Sequence, residues 1–267
     1  MSASRLGAQD LATGYGAREV ISHLDFAVPD GSFTIIIGPN ACGKSTLLRA
    51  LAHLLPARGG QVLLDGRDVA RLPAKELARQ VGILPQSPLA PEGITVRRLV
   101  SFGRHPYRGL LGGWSGQDQA AVDEALARTH LTELSDRLVD ELSGGQRQRV
   151  WIALALAQET DLLLLDEPTT YLDLAHQIDI LDLCAQLNQA GRTLVAVLHD
   201  LNQAVRYATH LVAMRDGKIV AEGRPEEIVN QDLIRDVFGL DTTIIPDPET
   251  GRPLVIPCAP PAQQLRR

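Results

Sequence analysis

Cysteine is scarce: Cys42, Cys184 and Cys258 are the three in 267 residues, far apart and without a CxxC pair. A disulfide framework or a thiolate zinc site is therefore not expected. Long apolar runs are also missing. The longest stretches are Trp151–Ala157, seven residues, and Thr193–Leu198, against the roughly 20 apolar residues that a bilayer-spanning helix needs. The start, Met1-Ser-Ala-Ser-Arg5, is not followed by the apolar run of a secretory signal. A cytosolic chain is expected. Nor is there an excess of basic charge: 26 Lys and Arg face 32 Asp and Glu, a formal net charge of −6. That balance is a poor electrostatic match to bare nucleic acid.

What is present is a composition able to bury a core, 45% hydrophobic and 22% charged. Short β-branched or leucine runs at Phe33–Ile37, Val81–Leu84, Leu162–Asp166, Thr193–Leu198 and Leu211–Met214 alternate with helical stretches. Those helices begin near Gly43, Gly144, Leu174 and Leu201. Alternation of this kind predicts an α/β fold with a mostly parallel sheet. Between residues 93 and 142 the strand signal disappears and Asp118–Arg128 has helical spacing, which predicts a helical insert. Thr242–Ile245 and Leu254–Ile256 flank a Pro- and Gly-bearing connection, which predicts a terminal hairpin. The tail from Ala259 to Arg267 is expected to fray.

Gly38-Pro39-Asn40-Ala41-Cys42-Gly43-Lys44-Ser45 follows one predicted strand and precedes the helical run that opens with Thr46. Glycines let backbone N–H groups turn toward a polyphosphate, and the helix start adds positive potential. Lys44 is placed to reach β and γ phosphates, and the Ser45 hydroxyl to complete a Mg²⁺ shell. Asp166, ending a hydrophobic strand, offers the oxygen ligation magnesium prefers. Its neighbour Glu167 reads either as part of a solvated turn or, beside a cradle and a metal ligand, as the group that polarises an attacking water. Leu142-Ser143-Gly144-Gly145-Gln146 opens another helix. Ser143 suits an N-cap, whereas two glycines in a first turn disfavour helix and point to close backbone approach. Two anion-binding helix starts thus accompany a single lysine cradle.

In these motifs and their order the sequence resembles the ATP-binding cassette (ABC) ATPases over nearly its whole length, from about Leu11 to Ile256. The resemblance implies one P-loop NTPase cassette over residues 1–257, with a small antiparallel β part. A helical subdomain at about 93–158, a terminal hairpin at about 242–257 and a tail at 258–267 complete it. It also implies a head-to-tail homodimer in which Ser143–Gln146 of one subunit closes on ATP held by the cradle of the other. Tyr15, 29 residues before Lys44, resembles the residue that stacks on adenine. Gln86 resembles the glutamine that senses Mg²⁺ and the attacking water, His199 the switch histidine, and Asp173 the loop aspartate that touches the opposite subunit. Ala41 departs from the family, many members of which have Gly there. Cys42, beside a helix N-terminus, is expected to have a depressed thiol pKa and to be alkylated unless ATP protects it.

Ser101–Arg108, Thr170–Gln177 and Asp247–Pro257 resemble the importers of iron–siderophore complexes, with haem and cobalamin importers as relatives. The implied partners are transmembrane permease subunits, with this chain cytoplasmic and peripheral on the inner face of the cell membrane, and, indirectly, a substrate-binding protein. Residues 103–114 read either as the docking surface for that permease or as subdomain core. A cassette working on DNA or ribosomes is the alternative class. Lys44 and Asp166 are only 122 residues apart with no heptad run between them, which argues against the long coiled coils of DNA-maintenance members.

Overall fold

The structure, a computed structural model, describes residues 4–86, 88–109, 113–170 and 172–258. Two long strands, β1 (Leu6–Tyr15) and β2 (Arg18–Val28), precede β3 (Phe33–Ile37) and helix α1 (Lys44–Leu51). Next come β4 (Gly59–Leu64), β5 (Arg67–Asp68), α2 (Ala74–Ala78) and β6 (Val81–Leu84). Then α3 (Val96–Val100), α4 (Gly116–Arg128) and α5 (Gly144–Ala157) follow before β7 (Leu162–Asp166). The chain continues through α6 (Leu174–Gln189), β8 (Thr193–Val197), α7 (Leu201–Tyr207), β9 (His210–Arg215) and β10 (Lys218–Gly223). It closes with α8 (Pro225–Ile228), α9 (Gln231–Phe238) and the antiparallel hairpin β11 (Thr242–Pro246) and β12 (Pro253–Pro257).

The central sheet has the order β10-β9-β3-β8-β7-β6, parallel except for β10 at its edge. Every residue of β3, β7 and β8 is buried, as strands covered on both faces require. Successive side chains point to opposite faces. Phe33, Ile35 and Ile37 accordingly join Leu163 and Leu165 in an apolar layer with α5, α6 and α7. Ile36, Leu162 and Leu164 join the layer under α1 and the second sheet. That second sheet, β2-β1-β4-β5, is antiparallel throughout.

Between β6 and β7 the described residues hold helices and 3₁₀ turns joined by one isolated bridge, Thr95 to Leu138. Both α4 and α5 open with a capping box, Ser115 with Asp118 and Ser143 with Gln146. The 3₁₀ turn Ser101–Tyr107 presses on α5 so closely that a Cβ on Gly103 would fall 2.4 Å from the Leu154 carbonyl oxygen. Among the described residues of 103–114, Gly103, Arg104 and Pro106 are buried, whereas His105, Gly109, Gly113 and Trp114 are exposed. The tail from Ala259 lies outside the described residues, as do residues 110–112. No helix among the described residues is long and apolar enough to cross a membrane.

In a parallel sheet, loops leaving the carboxyl ends of the strands gather at one edge, where ligands bind. Gly38–Ser45 follow β3 into the start of α1, Gln86 follows β6, Asp166 ends β7 with Glu167 next, and His199 follows β8.

Candidate nucleotide site

The loop from β3 to α1 wraps around the position of an anion. Gly38 and Gly43 have φ of 151° and 111°, backbone that side chains disfavour. A Cβ on Gly38 would lie 2.2 Å from the Met214 carbonyl oxygen. Ala41 also sits in the left-handed region, at φ 61°. Its departure from the family's glycine therefore carries backbone strain, of order 1–2 kcal/mol for an L-residue. Lys44 is buried, and its Nζ donates to the Gly38 and Pro39 carbonyl oxygens at 2.8 and 2.9 Å. The ammonium is thus held inside the loop at the start of α1.

The expected depression of the Cys42 thiol pKa is overturned. Its side chain is buried against the loop, 2.8 Å from where a Gly38 Cβ would stand, and burial pushes the thiol pKa up. The charge of Lys44 opposes that shift without reversing it. A helix N-terminus lowers a thiol pKa only where the thiolate can stay solvated or paired.

Asp166 ends β7 with 1% of its surface exposed. Its Oδ1 accepts from Ser45 Oγ at 2.7 Å. Its Oδ2 has no hydrogen-bond partner and faces Arg49 Nη2 at 3.4 Å. Burial raises the carboxyl pKa, opposed by the Ser45 bond and the Arg49 charge. A desolvated carboxylate whose Oδ1 takes the Ser45 hydroxyl and whose Oδ2, beside Arg49, keeps an unfilled acceptor position suits a small hard cation such as Mg²⁺. Arg49 also donates to Tyr15 Oη at 3.2 Å, so it links the tip of β1 to the acidic strand end. Tyr15 itself is 45% exposed.

Glu167 is 8% exposed and occupies φ 55°, a costly conformation for a non-glycine residue. Three neighbours fix its carboxylate. Gln86 Nε2 and Thr170 Oγ1 donate to Oε2 at 2.7 and 3.1 Å, and His199 Nε2 lies 2.7 Å from Oε1. Groups separated by over a hundred residues in the chain thus meet on one carboxylate. A cleft of about 340 Å³ opens beside them, walled by Tyr15, Arg18, Val20, Asn40, Ala41, Gly43, Lys44, Ser45, Thr46, Glu167 and His199.

Ser143–Gln146 and Asp173 do not line this cleft; they meet at a second place. Ser143 and Gly144 are exposed, and Gly145 is buried against His176, whose Cδ2 would be 2.6 Å from a Gly145 Cβ. His176 Nδ1 lies 2.7 Å from Asp173 Oδ1, which also accepts from the His176 N–H at 3.0 Å. Those bonds hold the Asp173 carboxyl below its usual pKa. Sequence reasoning gave His176 no role, and likewise missed Arg49 and Thr170. Only the D-x-x-H spacing at a helix start hinted at His176. Nothing local marked Arg49 or Thr170.

A lysine cradle, an acidic strand end and a braced glutamate define a nucleotide-hydrolysing P-loop protein. Residues 21–170 match the family described as ABC transporter. Over 96% of its length the chain is 55% identical to a protein of Bacillus subtilis (strain 168) named "Probable siderophore transport system ATP-binding protein", covering 94% of that protein. It is 53% identical, over 96% of its length and 95% of the other's, to the ferric enterobactin transport ATP-binding protein of Escherichia coli (strain K12). Among solved structures, a metal-chelate type ABC transporter in an inward-facing conformation superposes with a TM-score of 0.82 at 28% identity, covering 96% of this chain and 98% of that one. The chain belongs to the ABC transporter family and is an ATP-binding, ATP-hydrolysing subunit within it.

Proposed function

We propose that this chain drives import of ferric siderophore complexes, with two copies working head to tail on a separate permease at the inner face of the membrane. The cargo assignment is supported by relatives that carry siderophore or ferric enterobactin transport in their names and match nearly end to end. The hydrolytic assignment rests above all on one observation, the convergence of Gln86, Thr170 and His199 on Glu167.

The proposed chemistry is in-line attack of water on the γ phosphate. Lys44 leaves its carbonyl partners to meet the β and γ phosphates, and Tyr15 stacks on adenine. Glu167 accepts the hydrogen bond of the attacking water, oriented by Gln86, while His199 faces the γ phosphate. Ser45 and Asp166, with Gln86 nearby, would hold Mg²⁺, which supplies charge neutralisation on the phosphates. Asn40 to Thr46 present backbone N–H groups to the phosphates. The cleft lacks Ser143–Gln146 in its wall, which supports the reading that a second subunit completes it, with Asp173 at the crossing between them.

For the permease, a groove lined by Ala74, Lys75, Ala78, His105, Pro106 and Arg108 is the proposed seat. It joins the α/β core to the helical insert, so a segment docked there feels any movement between them. We read residues 1–257 as one cassette, with a substrate-binding protein acting upstream of the permease.

The test is the Glu167→Gln variant in the full chain with Mg-ATP. Phosphate release is expected to fall by at least about 10²-fold, with ATP affinity within a factor of about two and uptake of radiolabelled ferric siderophore abolished. Near-normal phosphate release would refute the role of Glu167. Recovery of the tagged chain with ribosomes or DNA, rather than a polytopic membrane protein, would overturn the transport reading.

A further inference from the structure

The terminal hairpin grips α7, the helix that starts two residues after His199. With seven residues, α7 is far too short to hold itself in place, since isolated helices below about 12 residues are marginal. Its tertiary anchors therefore set where its first turn lies. The hairpin provides anchors at both ends.

At the start of α7, Asn202 Nδ2 donates to the Val255 carbonyl oxygen at 3.1 Å and Asn202 Oδ1 accepts from the Val255 N–H at 2.8 Å. The side-chain amide thereby pairs with β12 as a further strand would. At the end of α7, one nitrogen, Arg252 Nη1, donates to the carbonyl oxygens of Val205, Arg206 and Ala208 at 3.1, 2.6 and 2.9 Å. These are carbonyls that a helix terminus leaves without partners, and a cation there also suits the helix dipole. Arg252 is itself fixed, because its Nε meets Glu226 Oε1 at 3.1 Å. The connecting loop is fixed as well: Asp247 accepts from the Glu249 and Thr250 N–H groups, and Gly251 turns at φ 70°.

The other end of this assembly is the reacting carboxylate. His199 meets Glu167 at 2.7 Å, and Asp200 between His199 and α7 caps the helix by accepting from the Gln203 N–H at 2.8 Å. A shift of α7 along its axis would carry His199 with it. The geometry points to Arg252 as a positioning residue for hydrolysis: through α7 it sets the distance from His199 to Glu167, and Asn202 shares that work. Neither residue touches the nucleotide cleft, and the cradle of Lys44 hangs on β3 and α1. The prediction is therefore confined to turnover. It rests on the hydrolytic reading of Glu167 and His199.

The experiment measures steady-state ATP hydrolysis by the full chain with Mg-ATP. Arg252→Ala is expected to lower kcat by about tenfold with KM for ATP within about twofold, since small misplacement of a catalytic group reduces the chemical step. Arg252→Lys should recover part of the loss, and Asn202→Ala should give the same kcat-only pattern should Arg252→Ala fold poorly. In a His199→Ala background, Arg252→Ala should cost less than about twofold further, because coupled residues are not additive. Wild-type turnover in both Arg252→Ala and Asn202→Ala, or an undiminished tenfold loss in the His199→Ala background, overturns the proposal. Wild-type turnover in His199→Ala alone would instead sink the hydrolytic reading beneath it.

Discussion

Asp166 is held where a carboxylate is least comfortable, buried, with one oxygen that has no hydrogen bond and only Arg49 at 3.4 Å, and its pKa raised by desolvation. The sign follows directly. An acid whose folded pKa lies above its unfolded value costs the folded state stability at pH values above that folded pKa, and the cost fades as pH falls. Asp166→Asn is therefore expected to raise the melting temperature of the nucleotide-free chain, by the roughly 2–4 °C that about 1 kcal/mol gives at this size. The same variant should lose the extra stabilisation that Mg²⁺ adds to ATP. Differential scanning fluorimetry at pH 7 with and without Mg-ATP reads both. At this scale the sequence told much: Lys44, Ser45, Asp166 and Glu167 are legible because their chemistry follows from strand ends and a glycine loop. Cys42 misled because the rule for helix N-termini presumes access to solvent, and burial outweighs it here.

Helix α5 runs from the Ser143–Gln146 cap to a C-terminal end that Arg104 locks. Arg104 is 1% exposed. Its Nε donates to Asp118 at 2.9 Å, its Nη1 donates to the Ala157 carbonyl oxygen at 2.8 Å and to Glu159 at 2.6 Å, and its guanidinium lies 4.1 Å from the Tyr107 ring centre. Removing one partner of a buried ion pair leaves the other charge uncompensated, at about 3–5 kcal/mol. Arg104→Met is expected to lose about that much in urea denaturation, and the loss should shrink as pH falls below the ordinary carboxylate range and Asp118 protonates. The sign is the reverse of Asp166. Asp118 has a lowered pKa, first through its Ser115 hydrogen bond and then through Arg104, so its stabilisation is present above the unfolded carboxyl pKa and disappears as pH falls through the folded one.

The sequence showed α4 and α5 through spacing and caps, yet Arg104 was invisible, being one arginine among surface charges until the fold places it under α5. The long pair β1 and β2 was equally obscure. Bulges near Asp10 and His23, both at positive φ, shift the pairing register and break the alternation by which strands are read.

Across the whole molecule, the cradle and the Ser143–Gln146 helix start belong to separate surfaces of one chain. Lys44→Ala and Ser143→Arg should each be inactive alone. In the proposed head-to-tail arrangement a mixture would give a dimer in which one site combines an intact cradle with an intact Ser143, and the other combines both lesions. ATP hydrolysis should then rise with mixing toward a quarter to a half of the wild-type rate. No recovery in mixtures shown to dimerise would mean that each chain completes its own site. This two-surface design was legible as an asymmetry of motifs. The Arg252 clamp was not, because a terminal hairpin and a helix some fifty residues earlier share no pattern along the chain.

The gathering of Lys44, Gln86, Glu167 and His199 at one sheet edge also bears on how the chain is made. Each arrives on a different strand, and β8, which delivers His199, lies between β3 and β7 in the sheet. Until β8 inserts, β3 and β7 have no hydrogen-bonded neighbour between them and His199 is missing from the cleft wall. A nascent chain that has not yet emerged past His199 thus holds the phosphate-loop sequence without the strand that joins β3 to β7 in the sheet.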